Sequence, residues 1–77
     1  MLYDKEIRNV LSEMEDIANN GSAMAQYNMG WISARGLWTQ EGLIQDLDVA
    51  RHWFEMSSKL GFQDAKRILI KNFSNVK

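Results

Sequence analysis

The chain has 77 residues, of which 45% are hydrophobic and 25% charged, and its formal net charge is −1 at pH 7. These values are typical of one small globular domain. The sequence contains no cysteine and one histidine, which excludes disulfides and thiolate zinc sites and leaves neither a metal nor a cofactor to expect. There is no apolar run of the roughly 20 residues that span a bilayer and no basic signal-peptide start, so we expect a soluble cytoplasmic protein without a membrane partner.

Four helices are predicted from hydrophobic periodicity and from the absence of proline, with neighbours in sequence packed antiparallel. Their expected bounds are 3–19, 22–35, 46–60 and 63–73. Ser22 and Asp46 are suitable N-caps, and Gly21 and Gly61 can take the left-handed conformation that closes the helix before them. Residues 36–45 lack helical caps and are expected to form a connection. The fold class is therefore all-α, a short stack of antiparallel helix hairpins similar to tetratricopeptide repeats.

The sequence repeats with an offset of forty residues. The aligned pairs are Val10 with Ala50, Met14 with Phe54, Gly21 with Gly61, Ala25 with Ala65 and Met29 with Leu69. In each copy a helix, a glycine turn and a second helix follow one another, and a small residue near the start of that second helix lets two backbones approach closely. We therefore predict about one and a half helix–turn–helix units.

Three segments of the chain resemble a known repeat. They are "AMAQYNMG" at 23–30, Gly36 with "GLIQD" at 42–46, and "ARHWFEMSSKLGFQDAKRIL" at 50–69. Their order and spacing are similar to the Sel-one-like repeat family, which is related to the tetratricopeptide arrays. The resemblance implies a single domain, 1–77, with a flanking helix at 1–20, one repeat at 21–61 and a capping helix at 62–77. Five residues, "LWTQE", stand where the family usually has one, so we expect this loop to depart from the family pattern.

The resemblance implies that the chain binds another protein and is not an enzyme. Family members are mostly adaptors, scaffolds or secreted virulence factors, and they share no catalytic residues. The general-base candidate is His52, which has Asp48 and Glu55 four and three residues away on the same helix. Polar neighbours at this spacing occur on most solvated helices, so they do not indicate catalysis. We expect a small adaptor, or an inhibitor or immunity protein that blocks one protein target. The alternative is a small nucleic-acid-binding regulator that uses the basic C-terminal helix.

The expected partner-binding surface is the outward face of the second helix and the loop beside it. Its residues are Met24, Tyr27, Trp31, Arg35 and Trp38. At the corresponding positions the fourth helix carries charge, in Asp64, Arg67 and Lys71. We therefore expect that the lengthened connection or a partner covers the apolar face, since tryptophan, tyrosine and methionine concentrate at protein interfaces. For Tyr27 a core position is favoured and for Trp38 a position tucked onto the core, with the partner surface as the alternative for both. For Trp31 the partner surface is favoured, and a core position is the alternative.

The terminal helices carry more apolar positions than one neighbouring helix covers. These are Leu2, Ile7, Val10, Leu11, Met14 and Ile17 in the first helix, and Ile70, Phe73 and Val76 at the end of the last. Residues 1–20 are predominantly acidic and residues 59–77 predominantly basic, so two chains meeting end to end would also attract. We expect self-association unless a partner covers these faces, with a two-fold homodimer as the favoured closed arrangement.

Overall fold

Four α-helices form the framework of the chain. The structure is a computed structural model that describes residues 4–39 and 42–73. The helices are α1 (Asp4–Asn19), α2 (Ala23–Arg35), α3 (Leu47–Lys59) and α4 (Gln63–Asn72). Each bound lies within one residue of the predicted one, and each helix packs against the next helix in sequence. The all-α fold class is confirmed.

A short β-hairpin lies between α2 and α3, where the sequence predicted only a connection. Its strands are β1 (Leu37–Thr39) and β2 (Gly42–Ile44), which pair antiparallel. After β2 the backbone N–H of Asp46 donates to the carbonyl oxygen of Ser33 at 3.0 Å. This hydrogen bond returns the chain to the C-terminal half of α2. The first three residues of the segment "LWTQE" therefore form the first strand of the hairpin.

The turns that close α1 and α3 have the same backbone geometry. Gly21 and Gly61 have φ angles of +99° and +92°, in the left-handed region that favours glycine. The N–H of Gly21 donates to the carbonyl oxygen of Ala18 at 3.1 Å, and that of Gly61 donates to Ser58 at 2.9 Å. Both predicted closures are confirmed. The offset of forty residues therefore holds for hydrogen bonds as well as for residue types.

The predicted N-caps of α2 and α3 are confirmed. The Ser22 Oγ accepts a hydrogen bond from the N–H of Ala25 at 3.2 Å. The Asp46 Oδ1 accepts two, from the N–H groups of Asp48 at 3.0 Å and Val49 at 3.1 Å. These side chains satisfy backbone donors that have no partner within the first turn of a helix.

Two apolar clusters form the core, one on each side of the central pair α2 and α3. The cluster shared with α1 has as its buried residues Ala18, Met29 and Trp53. The cluster shared with α4 has as its buried residues Ala50, Phe54 and Ala65. The central helices therefore contribute to both clusters, and each end helix contributes to one.

Gly30 allows α2 and α3 to approach closely. A Cβ atom built on Gly30 would lie 2.6 Å from Cε1 of Phe54, which is too short for a carbon–carbon contact. The Phe54 ring thus occupies the space that a side chain on residue 30 would need. Gly30 therefore serves the packing of α2 on α3.

Two buried polar side chains also hold the helices together. The Nε2 of Gln26 donates to the carbonyl oxygen of Ala18 at 3.0 Å, joining α2 to the end of α1. The Oγ of Ser57 donates to the carbonyl oxygen of Ala23 at 2.7 Å, joining α3 to the start of α2. Because buried polar groups are costly without partners, these bonds restrict how the helices can slide.

Two residues of the third predicted helix that hydrophobic periodicity alone would place inward are exposed. They are Val49 and Leu60. Val49 lines an open cleft, described below, and Leu60 is the C-cap of α3, beyond its last helical residue. Periodicity gives the direction of a side chain, but it does not show where the neighbouring helix ends.

Candidate functional site

The outward face of α2 has exposed ends and a half-buried aromatic middle. Met24 is 61% exposed and Arg35 is also exposed, whereas Tyr27 and Trp31 are half-buried. The guanidinium carbon of Arg35 lies 4.7 Å from the centroid of the Trp31 ring, which is cation–π geometry. Arg35 therefore covers part of the tryptophan, and the accessible surface of this face is smaller than the sequence suggested.

Residues of α3 and α4 cover much of the aromatic middle. The centroid of the Tyr27 ring lies 5.0 Å from that of Phe62, which immediately precedes α4. The Trp31 ring meets the Phe54 ring edge-on, with centroids 5.6 Å apart. Intramolecular packing thus supplies cover that we expected from the lengthened connection or from a partner. The core position considered for Tyr27 applies in part to both residues.

The charged face of α4 has a simple physical reason. Phe54 and Phe62 pack on the aromatic side of α2, but within the described residues no helix follows α4 to cover the equivalent side of α4. Asp64, Arg67 and Lys71 are therefore exposed to solvent. The Nη1 of Arg67 lies 3.3 Å from Oδ1 of Asp64, an exposed ion pair that contributes little to stability.

Trp38 is placed by its backbone alone. It lies in β1, paired with Leu43 of β2, and its side chain is outside the described residues. The same is true of the side chain of Ile7, and residues Leu2 and Val76 lie wholly outside them.

An apolar cleft of about 250 Å³ opens where α1, α2, α3 and the hairpin meet. The described residues that line it are Leu11, Met29, Ile32, Ser33, Ile44, Gln45, Asp46 and Val49. Sequence reasoning missed this cleft, because it needs residues from four elements and a hairpin that was not predicted. Ile44 and Val49, which line the cleft, are exposed apolar side chains. The sequence could have indicated this exposure only if the positions of the helix ends had been known.

The charges on α1 and at the start of α3 are mainly negative. On α1 the exposed acids are Glu13, Glu15 and Asp16. At the start of α3, Asp46 lines the cleft itself, and Asp48 is exposed one residue before Val49. Because Asp46 lies in its lining and Asp48 is exposed nearby, the apolar cleft suits an apolar group that carries a positive charge close to it.

The described residues contain no group of three or more His, Asp or Glu side chains able to hold a metal ion. His52 is exposed on α3, with its ring 6.1 Å from that of Trp53. Among the helices in 4–39 and 42–73, none is long and apolar enough to cross a bilayer.

Comparison of the chain with protein-family models, with curated proteins and with solved structures found no match. The resemblance to Sel-one-like repeats therefore rests on the segments quoted above, and it stays a prediction.

Proposed function

We propose that this chain is a non-enzymatic binding module that covers a surface of one specific protein. An inhibitor or immunity protein that blocks its target is the form we favour, and a small adaptor is the related form. The stack of helix hairpins and its exposed apolar side chains support this proposal. The resemblance to the Sel-one-like family agrees with it, and the protein would act in the cytoplasm.

The apolar cleft is the observation that carries the proposal. Its volume of about 250 Å³ is below the ~300–1,000 Å³ typical of small-molecule pockets, and it suits one large side chain of a protein. Protein interfaces concentrate their binding free energy in such anchors, which fill a pocket and are surrounded by polar residues. The target would insert an apolar anchor and place a basic residue towards Asp46 and Asp48.

The outward face of α2 provides a second contact surface. Its exposed residues are Met24 and Arg35, and Tyr27 and Trp31 between them are half-buried. Arginine stacked on tryptophan gives a flat, partly charged patch that can bind without further ordering of either side chain. We propose that this face contacts a separate part of the same target, because it lies on the α4 side of α2 whereas the cleft lies on the α1 side.

Replacing Trp31 with alanine should lower the stability of the fold. The free energy of unfolding should fall by about 1–2 kcal/mol, because the indole packs against Phe54 but is only half-buried. Met24→Ala is the control, since Met24 is largely exposed and its loss should leave stability within about 0.5 kcal/mol of the original. Urea unfolding of both variants measures this. An unchanged stability for Trp31→Ala would mean that the indole does not belong to the packed cluster.

The function is tested with a matched pair of variants at the start of α3. Val49→Glu places a carboxylate in the cleft, whereas Leu47→Glu places one at an exposed position two residues earlier, outside the described lining. Both positions lie in the first turn of a helix, where acids are tolerated. The tagged chain and both variants would be used to recover partners from native lysate. We expect one protein to be retained by the original and by Leu47→Glu.

The retained protein should bind Val49→Glu roughly tenfold more weakly than it binds the original chain. The carboxylate would disrupt the contact with the target's apolar anchor, and a tenfold loss corresponds to about 1.4 kcal/mol of binding free energy. Equal binding by both variants would remove the cleft from the proposal. Recovery of nucleic acid, with affinity falling steeply as salt rises, would favour the alternative of a nucleic-acid-binding regulator. In that case the phosphates would be contacted by the exposed basic side chains of α4, which are Lys66, Arg67 and Lys71.

A further inference from the structure

The exposed face of α1 corresponds to the buried face of α3. The residues of this face, which we name the α1 end face, are Val10, Met14 and Ile17. With the offset of forty, their counterparts are Ala50, Phe54 and Ser57. All three counterparts are fully buried, and they include the ring that packs on α2 at Gly30 and the hydroxyl that bonds to α2 at Ala23. On α1 the same stripe is entirely apolar, yet Val10 is 44% and Ile17 is 54% exposed.

The exposed face of α4 corresponds to the buried face of α2. The residues of this face, which we name the α4 end face, are Lys66, Leu69 and Ile70. Their counterparts are Gln26, Met29 and Gly30, which are all buried. Gly30 lies under the Phe54 ring, whereas Ile70 is 69% exposed. The two ends of the stack thus present the two different halves of the interface that joins α2 to α3.

We propose that a second copy of the chain covers these faces, with α4 of one copy packed against α1 of the next. The contact would repeat the packing of α2 on α3 between chains and would continue the alternation of helices along the stack. It does not depend on the cleft or on the proposed target, because Val49 and the outward face of α2 take no part in it.

Charge favours this pairing of unlike ends. On α1, Glu13 lies three residues from Val10 and four from Ile17, so it shares their side of the helix. On α4, Lys66 lies four residues from Ile70 and shares its side in the same way. An acidic apolar face therefore meets a basic apolar face, whereas two α1 faces or two α4 faces would bring like charges together.

Side-chain size sets the spacing of the contact. In the central pair a large ring, Phe54, packs over a residue without a side chain, Gly30. Between chains the aligned residues are Met14, a flexible side chain that is half-buried against the cluster of Ala18, Met29 and Trp53, and Ile70, a branched side chain of similar size. Methionine adapts to irregular surroundings, so the two helices can pack at a somewhat wider spacing than α2 and α3.

The proposed contact is heterologous, because it joins the α4 end face of one copy to the α1 end face of another. A pair of chains therefore still has one α1 end face and one α4 end face uncovered. It therefore differs from the two-fold homodimer that we expected from the sequence. A heterologous contact that does not close into a ring adds further copies at both ends. The average mass of the original chain should thus pass beyond two chains as its concentration rises.

Three lysine variants test the contact in sedimentation experiments on the full chain. Ile17→Lys blocks the α1 end face and Ile70→Lys blocks the α4 end face. Leu60→Lys is the control, because Leu60 is 55% exposed but belongs to neither face. Burial of one isoleucine favours association by enough that each blocking variant should lower the association constant at least roughly tenfold. The control should assemble as the original does.

An equimolar mixture of the two blocking variants separates head-to-tail assembly from two-fold pairing. Ile17→Lys retains a usable α4 face and Ile70→Lys a usable α1 face, so the mixture should form two-chain complexes and grow no further. Full dimerisation of either blocking variant alone would instead indicate pairing of like faces and would overturn the proposal. A constant mass of one chain for the original protein at all concentrations would overturn it as well, and would leave the end faces to a different protein.

Discussion

Replacing Phe54 with alanine is expected to lower the free energy of unfolding by about 3–5 kcal/mol. Phe54 is fully buried, and its ring packs between helices on both sides. The ring centroids of Tyr27, Trp31 and Phe73 lie 5.7, 5.6 and 5.7 Å from its own. The variant would therefore leave a cavity that three aromatic side chains cannot fill without moving. A domain of this size has a total stability of about 4–12 kcal/mol, so Phe54→Ala should be near the limit of folding.

Thermal and urea unfolding, followed by circular dichroism, measure this loss. Phe54→Leu keeps most of the volume and should lose only about 1 kcal/mol, which provides a folded variant if Phe54→Ala does not fold. Phe62→Ala is the matched control, because the same side chain is removed from a half-buried position and should cost about 1–2 kcal/mol. Equal losses for Phe54→Ala and Phe62→Ala would contradict a core centred on Phe54.

Gly30→Ala is expected to destabilise the protein by about 1–3 kcal/mol, although it improves helix propensity. On an exposed helix surface the same change stabilises by about 1 kcal/mol. Here the added Cβ would lie within 2.6–2.8 Å of three carbon atoms of the Phe54 ring, so the ring or the whole of α3 must move. The sign of the effect therefore separates close helix packing from helix propensity.

Two comparisons sharpen the measurement at residue 30. Asn28→Ala, at an exposed position of the same helix, should stabilise by a few tenths of a kcal/mol. In a Phe54→Leu background Gly30→Ala should cost less than in the original chain, because the smaller side chain gives the new methyl group more room. A double-mutant cycle on urea unfolding gives this coupling. Additive effects would show that residues 30 and 54 do not compete for the same space.

The helices, their caps and the glycine turns could be predicted because each depends on a few neighbouring residues. Ser22 and Asp46 bond to N–H groups within three residues, and Gly21 and Gly61 need only their own backbone angles. The hairpin could not be predicted in this way. Its strands have three residues each, too few to show alternation between apolar and polar positions.

The candidate site could be predicted less well, because burial depends on which helices lie side by side. Tyr27 and Trp31 were recognised as an unusual apolar face, but their contacts with Phe54 and Phe62 lie more than twenty residues away in sequence. The cleft needs four elements to meet at one place. Three of its lining residues would each be predicted from the sequence as an ordinary core position, namely Leu11, Ile32 and Val49.

The packing of each helix against its neighbour in sequence has a consequence for the kinetics of folding. Extensive contacts join α1 to α2, α2 to α3 and α3 to α4, so few long loops must close before packing begins. Chains with such local contacts fold in microseconds to milliseconds. Because α2 and α3 share the largest interface, they are the natural nucleus, and α1 and α4 can open separately while this nucleus stays folded. Amide hydrogens of the end helices should then exchange with solvent sooner than those near Gly30.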